Sequence, residues 1–213
     1  MKKLLYITCN SKPEKLSASK TVGRSFIRTL IEKDDDFVVK QLDLYEMSIP
    51  KLQYKYFNDR SAVVDAKAYD NLSPKEKKDV DKIIELANEF KEADFYVLVA
   101  PMWNLMFPAR LKEYLDCIIQ NEITVKIGPE EIGGLLNDKI RTMVYIQSSG
   151  GAIPWLLEGK INHGGTYIKD IFKFTGIKNY YEILVDKTGF TDEEQHDAIE
   201  RGKQKAKDLV SKL

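Results

Sequence analysis

The sequence predicts an α/β protein: a doubly wound, five-stranded parallel sheet with helices on both faces. Two observations carry this. Short apolar runs of strand length alternate with amphipathic runs of helix length along the whole chain. One of these runs, residues 95–100, ends abruptly in Pro101-Met102-Trp103-Asn104, as a strand does at the carboxyl edge of a buried sheet.

The elements follow in order. Residues 4–8 are a first apolar strand, and 10–16 a loop containing Pro13. Residues 19–33 have helical spacing at Val22, Phe26, Leu30 and Ile31, and 32–36 are a charged, solvated helix end. Residues 37–44 alternate as the second strand. The aromatic stretch 45–71, with Pro50 inside it, reads as an insertion that folds over a site or packs on a partner subunit. Ser73-Pro74 starts a helix that runs to about residue 93 and buries Val80, Ile83, Ile84, Ala87 and Phe90. The third strand follows, and its ladder is expected to stop at Ala100, because Pro101 has no backbone donor. Pro108 opens a helix through Leu111, Tyr114, Leu115 and Ile118. Residues 122–137 form a second insertion, a small hairpin with Gly133-Gly134. Residues 139–147 are the fourth strand, 162–174 a helix stopped by Gly176, and 180–185 the fifth strand. Thr191-Asp192-Glu193-Glu194 caps a final amphipathic helix. No linker or repeat divides the 213 residues, so one domain is expected.

Lys plus Arg and Asp plus Glu both number 33, so no net field recruits nucleic acid or an anionic membrane. Hydrophobic residues at 43% and charged residues at 31% describe an ordinary globular composition rather than a disordered one. Cys9 and Cys117 lie too far apart in sequence to suggest a disulfide framework, which points to a reducing cytoplasm. The first apolar run ends by Thr8-Cys9-Asn10, too short for a signal peptide. No stretch approaches the ~20 apolar residues that span a bilayer.

In this architecture the loops after the first, third and fourth strands share one edge. The first ends in Ser17-Ala18-Ser19 at a helix start, which suits a phosphate or an ordinary serine cap. The second, Met102-Trp103-Asn104-Leu105, offers a flat apolar surface and an amide, suited to a planar heterocycle. The third is Gln147-Ser148-Ser149-Gly150-Gly151, whose glycines admit a close ligand or simply make a tight turn. Together they indicate a mononucleotide site. A P-loop and a Gly-x-Gly-x-x-Gly fingerprint are absent from the sequence. A receiver domain would need paired carboxylates after the first strand, where Cys9-Asn10-Ser11 stands. His163 and His196 lack metal-ligand spacing, so no metal is expected. His163 reads as an ordinary polar residue at a helix entry, with a site role as the alternative, and His196 as solvated. Cys9 reads as a small buried residue rather than a nucleophile, and Cys117 as core.

These segments resemble a known family. Pro101-Met102-Trp103-Asn104 is similar to the Pro-Met-Tyr/Trp-Asn turn of the FMN-dependent NADH:quinone oxidoreductases and azoreductases. Ser148-Ser149-Gly150-Gly151 resembles that family's Ser-x-Gly-Gly loop, and Ser17-Ala18-Ser19 its Ser-x-Ser phosphate loop. Leu111-Lys112-Glu113-Tyr114-Leu115-Asp116 and Phe174-Thr175-Gly176-Ile177 are similar to further family segments. The resemblance implies a flavodoxin-like fold with sheet order 2-1-3-4-5. It implies FMN held at its phosphate by Ser17, Ala18 and Ser19. Met102, Trp103, Asn104 and Leu105 would flank the isoalloxazine, and Ser148, Ser149, Gly150 and Gly151 its other rim. Asn10 and Ser11 both stand where the family often has a serine, and either could reach the phosphate. The implied activity is ping-pong, two-electron transfer from NADH or NADPH to quinones and azo compounds. The flavin carries the chemistry, so no protein acid or base is expected. The implied assembly is a homodimer with shared sites. A flavodoxin-type electron carrier is the alternative, and a regulatory module without turnover a third reading. An acidic docking face would favour the carrier, and the balanced charge argues against it.

Overall fold

The computed structural model describes residues 1–59, 62–63, 66–152, 158–189 and 191–213. Nine strands occur among them: β1 Lys2–Thr8, β2 Phe37–Asp43, β3 Phe57–Asp59, β4 Ala62–Val63, β5 Phe95–Pro101, β6 Val125–Ile127, β7 Ile132–Gly134, β8 Thr142–Ser148 and β9 Asn179–Val185. The α-helices are α1 Ala18–Lys33, α2 Ala66–Asp70, α3 Pro74–Glu92, α4 Ala109–Ile118, α5 Glu158–Ile161, α6 His163–Phe174 and α7 Asp192–Lys212. Five strands make one parallel sheet in the order β2-β1-β5-β8-β9. In chain numbering this is not the expected 2-1-3-4-5. Two short antiparallel pairs, β3-β4 and β6-β7, lie between sheet strands and shift the count. They fall within 45–71 and 122–137.

Alternate residues of each strand face opposite layers. Leu4 and Tyr6 of β1 join Val97 and Val99 of β5 against Val22 and Phe26 of α1 and Val210 of α7. Leu5 and Ile7, with Tyr96 and Leu98, face Ile83 and Phe90 of α3, Leu111 of α4 and Phe172 of α6. The helices α3, α6 and α7 begin where the sequence signals them, whereas the short α2 and α5 were not expected. Ser73 and Thr191 form capping boxes with Glu76 and Glu194, and Asn162 caps α6.

Several boundaries differ from expectation by a few residues, and two differences have a clear physical reason. The β5 ladder runs through Pro101, which pairs with Ser148, rather than stopping at Ala100. Val99 O accepts from Cys9 N (2.8 Å), whereas Met102 N donates to Ser148 O (2.7 Å). Pro101 therefore turns its missing donor toward β1, which has already ended at Thr8. The fourth sheet strand begins at Thr142, not 139. There the Arg141 side chain binds the carbonyls of Lys91, Ala93 and Leu136 and holds the preceding turn off the sheet.

Candidate functional site

The chain leaves β1 for β2 on one side and returns to β5 on the other. The strand order thus reverses between β1 and β5, and a crevice opens beyond their carboxyl ends. Asn10 sits in that crevice, 5% exposed. Its Nδ2 donates to Ser17 Oγ (2.8 Å), and its Oδ1 accepts from the Lys12 amide (3.0 Å). Ser17 is the N-cap of α1, and its Oγ accepts from Lys20 N (3.3 Å). Ser19 Oγ lies 3.3 Å from Ser17 Oγ. The amides of Ala18 and Ser19 have no intrahelical acceptor, as at any helix start. This corner is a cluster of neutral donors at the positive end of a 16-residue helix.

The second wall is the turn after Pro101. Trp103 and Met106 exchange backbone hydrogen bonds, Trp103 N to Met106 O (2.6 Å) and Met106 N to Trp103 O (3.0 Å). Between them Asn104 and Leu105 have φ of +51° and +64°. A two-residue turn of this kind normally carries Asn-Gly, and a leucine in the left-handed region costs ~1–3 kcal/mol. The surroundings fix it in place. Gly164 N at the start of α6 donates to Leu105 O (3.2 Å). A Cβ on Gly164 would come within 3.1 Å of the Met106 backbone, so glycine is what lets α6 approach the turn. Trp103 is 43% exposed and packs edge-on against Tyr45, with centroids 6.5 Å apart.

The third wall follows β8, with a further loop behind it. Beyond β9, Thr188 N and Oγ1 both donate to Ser149 O (3.1 Å each), and Gly189 N donates to Gly150 O (3.1 Å). Ser149 Oγ donates to Gly151 O (2.9 Å). A Cβ on Gly150 would meet no atom of the described residues within 4 Å, and its φ is not left-handed. Neither packing nor backbone conformation requires glycine there. Gly150 is exposed, and the space above it is open.

These walls enclose a cleft of 180 Å³. Ser17, Ala18, Met102, Trp103, Ser148, Ser149 and Gly150 line it, as the sequence suggests. Ser19 stands behind Ser17, fully buried. Asn104 and Leu105 are exposed at the tip of the turn, and Gly151 is exposed beside Gly150. Sequence reasoning missed Lys12, Leu16, Thr188 and Gln195, which also line the cleft. The last two follow β9, whose loop ends at the same edge as those singled out. Of the pair left open, Asn10 lines this cleft and Ser11 an adjoining cavity. His163 lies outside the cleft, on the α6 groove with Tyr167 and Phe174. His196 is exposed on α7.

The corner offers no activated nucleophile. Cys9 is fully buried, and burial, with the nearby Asp43 charge, pushes its thiol up to about 12. Cys117 is buried beneath α4, its Sγ 3.6 Å from Pro50 O. Among the described residues no group of His, Cys, Asp and Glu could hold a metal ion. No helix is long and apolar enough to cross a membrane. The donor set therefore suits an anion held by neutral amides and hydroxyls, joined to a flat group lying against Trp103.

Comparison with known proteins shows what the chain as a whole is similar to. The sequence profile described as Flavodoxin-like fold matches residues 2–210. An FMN-dependent NADH:quinone oxidoreductase of Clostridium botulinum (strain Eklund 17B / Type B) is 52% identical, covering 99% of this chain and 98% of that protein. Another of that description, from Ruminiclostridium cellulolyticum, is 45% identical over the full length of both. Among solved structures, an FMN-dependent NADH-azoreductase from Bacillus anthracis str. Ames Ancestor, in complex with FMN, superposes with a TM-score of 0.79 at 26% identity, covering 99% of this chain and 100% of that one.

Proposed function

This chain belongs to the family of FMN-dependent NADH:quinone oxidoreductases, and from that premise we propose how its carboxyl-edge cleft serves the activity. The protein is an oxidoreductase that takes electrons from NADH and reduces quinones, with azo compounds as further acceptors. Bound FMN supplies the two-electron chemistry. The open space over Gly150, in a cleft whose far corner is a helix N-terminus, is the observation that carries the cofactor reading.

Ser17, Ser19 and the amides of Ala18 and Ser19 hold the phosphate. Asn10, rather than Ser11, orients Ser17 for this through its 2.8 Å hydrogen bond. At 180 Å³ the cleft is smaller than the ~300–1,000 Å³ of common ligand pockets. It takes the phosphate end of the cofactor, and the ring lies outside, against Met102, Trp103, Asn104 and Leu105. The amide of Asn104 and backbone N–H groups stabilise negative charge on the reduced ring. Ser148, Ser149, Gly150 and Gly151 form the opposite rim. The strained Asn104-Leu105 turn presents these groups in a fixed geometry. No side chain is assigned as acid or base, and solvent protonates the acceptor.

The reading extends to assembly and setting. Trp103 and Leu105 are 43% and 45% exposed, a surface suited to cover by a second copy in a homodimer. Residues 45–71 are the proposed cover. We place the enzyme in the cytoplasm as a single domain over 1–213. The comparisons lend the electron-carrier alternative no support.

The test is spectroscopic. Protein loaded with FMN should lose its flavin absorbance on anaerobic addition of NADH and regain it with a quinone. A protein that takes up no FMN, or whose flavin NADH leaves oxidised, overturns the assignment. Reduction only through an added reductase would restore the carrier reading.

A further inference from the structure

We infer that Lys12 is the cation paired with the cofactor phosphate, and that it sets the preference for FMN over riboflavin. This rests on the flavin reading above and assigns a residue that the loop motifs leave out. A phosphate monoester carries about −1.5 to −2 at neutral pH. The serine hydroxyls are neutral, and a helix N-terminus contributes only about half a positive charge. Neutral donors can hold the phosphate, but they leave most of its charge uncompensated, and a cation at the cleft would offset it. Among the described residues lining the cleft, Lys12 is the only one with a formal charge.

Its neighbours leave it free for that role. Lys20 is committed elsewhere: its Nζ lies 2.9 Å from Asp43 Oδ2, with the side chain 10% exposed. Glu14, two residues after Lys12, is taken by Arg24 (3.1 Å). Lys12 itself is exposed and makes no ion pair among the described residues. Its backbone is also anchored to the site. The Lys12 amide donates to Asn10 Oδ1 (3.0 Å), and Asn10 Nδ2 holds Ser17 Oγ (2.8 Å), so one amide side chain sets both the lysine and the serine. Pro13 follows and restricts Lys12 to extended backbone. The charge is therefore delivered from a fixed root by a flexible stem.

The experiment is a flavin-fluorescence titration of the apoprotein with FMN and with riboflavin, which lacks the phosphate. Lys12→Met should weaken FMN binding about tenfold at low salt, the scale of one charge-assisted contact. Its riboflavin affinity should stay within about twofold of wild type on the same scale. Lys12→Arg should retain FMN affinity, and added salt should weaken wild-type FMN binding more steeply than that of Lys12→Met. Equal loss for both flavins, or no loss for either, overturns the assignment while leaving the cofactor reading intact. A wild-type apoprotein that binds neither flavin removes both.

Discussion

At the amino edge of the sheet, charge is consumed within the protein. Lys2 pairs with Asp34 (2.6 Å) and Lys3 with Glu92 (2.5 Å). Lys139 pairs with Asp94. Arg141, 3% exposed, donates to three carbonyls and to Asp138 (2.5 Å), and this bond holds the Asp138 carboxyl below its ordinary range. At the carboxyl edge lie first-turn amides without intrahelical acceptors, buried serines lining a cleft, an exposed lysine with no ion pair among the described residues, and a strained turn. The hollow at the amino edge is the larger, 620 Å³ against 180 Å³. The charged side chains lining it are engaged inside the protein: Lys2 pairs with Asp34, Asp94 with Lys139 outside the hollow, and Lys33 donates to the Val210 and Ser211 carbonyls. Volume alone would select the wrong end. What marks the site is donor capacity that folding leaves unused.

The comparison breaks first at Arg141. Arg141→Met removes the side-chain donor from the carbonyls of Lys91 and Leu136 and one of two side-chain donors from that of Ala93, which keeps the Tyr96 hydroxyl. It should cost about 3 kcal/mol in urea denaturation, with FMN affinity unchanged in the fraction that stays folded. A small stability loss would show that the amino edge is not the structural end. Gly150→Val inverts the pattern. Its Cβ meets no atom of the described residues within 4 Å, so stability should hold to within about 0.5 kcal/mol. FMN affinity should fall roughly 10- to 100-fold, a loss of a few kcal/mol from overfilling. Unchanged FMN binding would free the space over Gly150 from its assigned occupant.

The sequence carried the sheet, the helix starts and most of the cleft because each left a local trace. Continuous apolar runs marked β1 and β5, a Ser-Pro start marked α3, a capping threonine marked α7, and glycines marked the loop after β8. What escaped was tertiary. Proline ended the β5 ladder in sequence logic, but the direction of its missing donor depends on where β1 stops. Leu105 in a left-handed turn has no local signal, since the contact with Gly164 that holds it is distant in sequence. Thr188 and Gln195 enter the site only because β9 runs parallel and ends at the same edge. Nothing in the sequence singles out Lys12, because the pairing of Lys20 and Glu14 with other residues, which leaves it alone at the cleft, is a tertiary fact.

Amide hydrogen exchange with and without FMN tests the distinction between the edges most directly. FMN should slow exchange in 16–20, 102–106 and 149–151 and leave 34–37, 92–95 and 137–142 unaltered. Protection at the amino edge, or none around Ser17 and Gly150, would contradict the assignment of the flavin to the carboxyl edge.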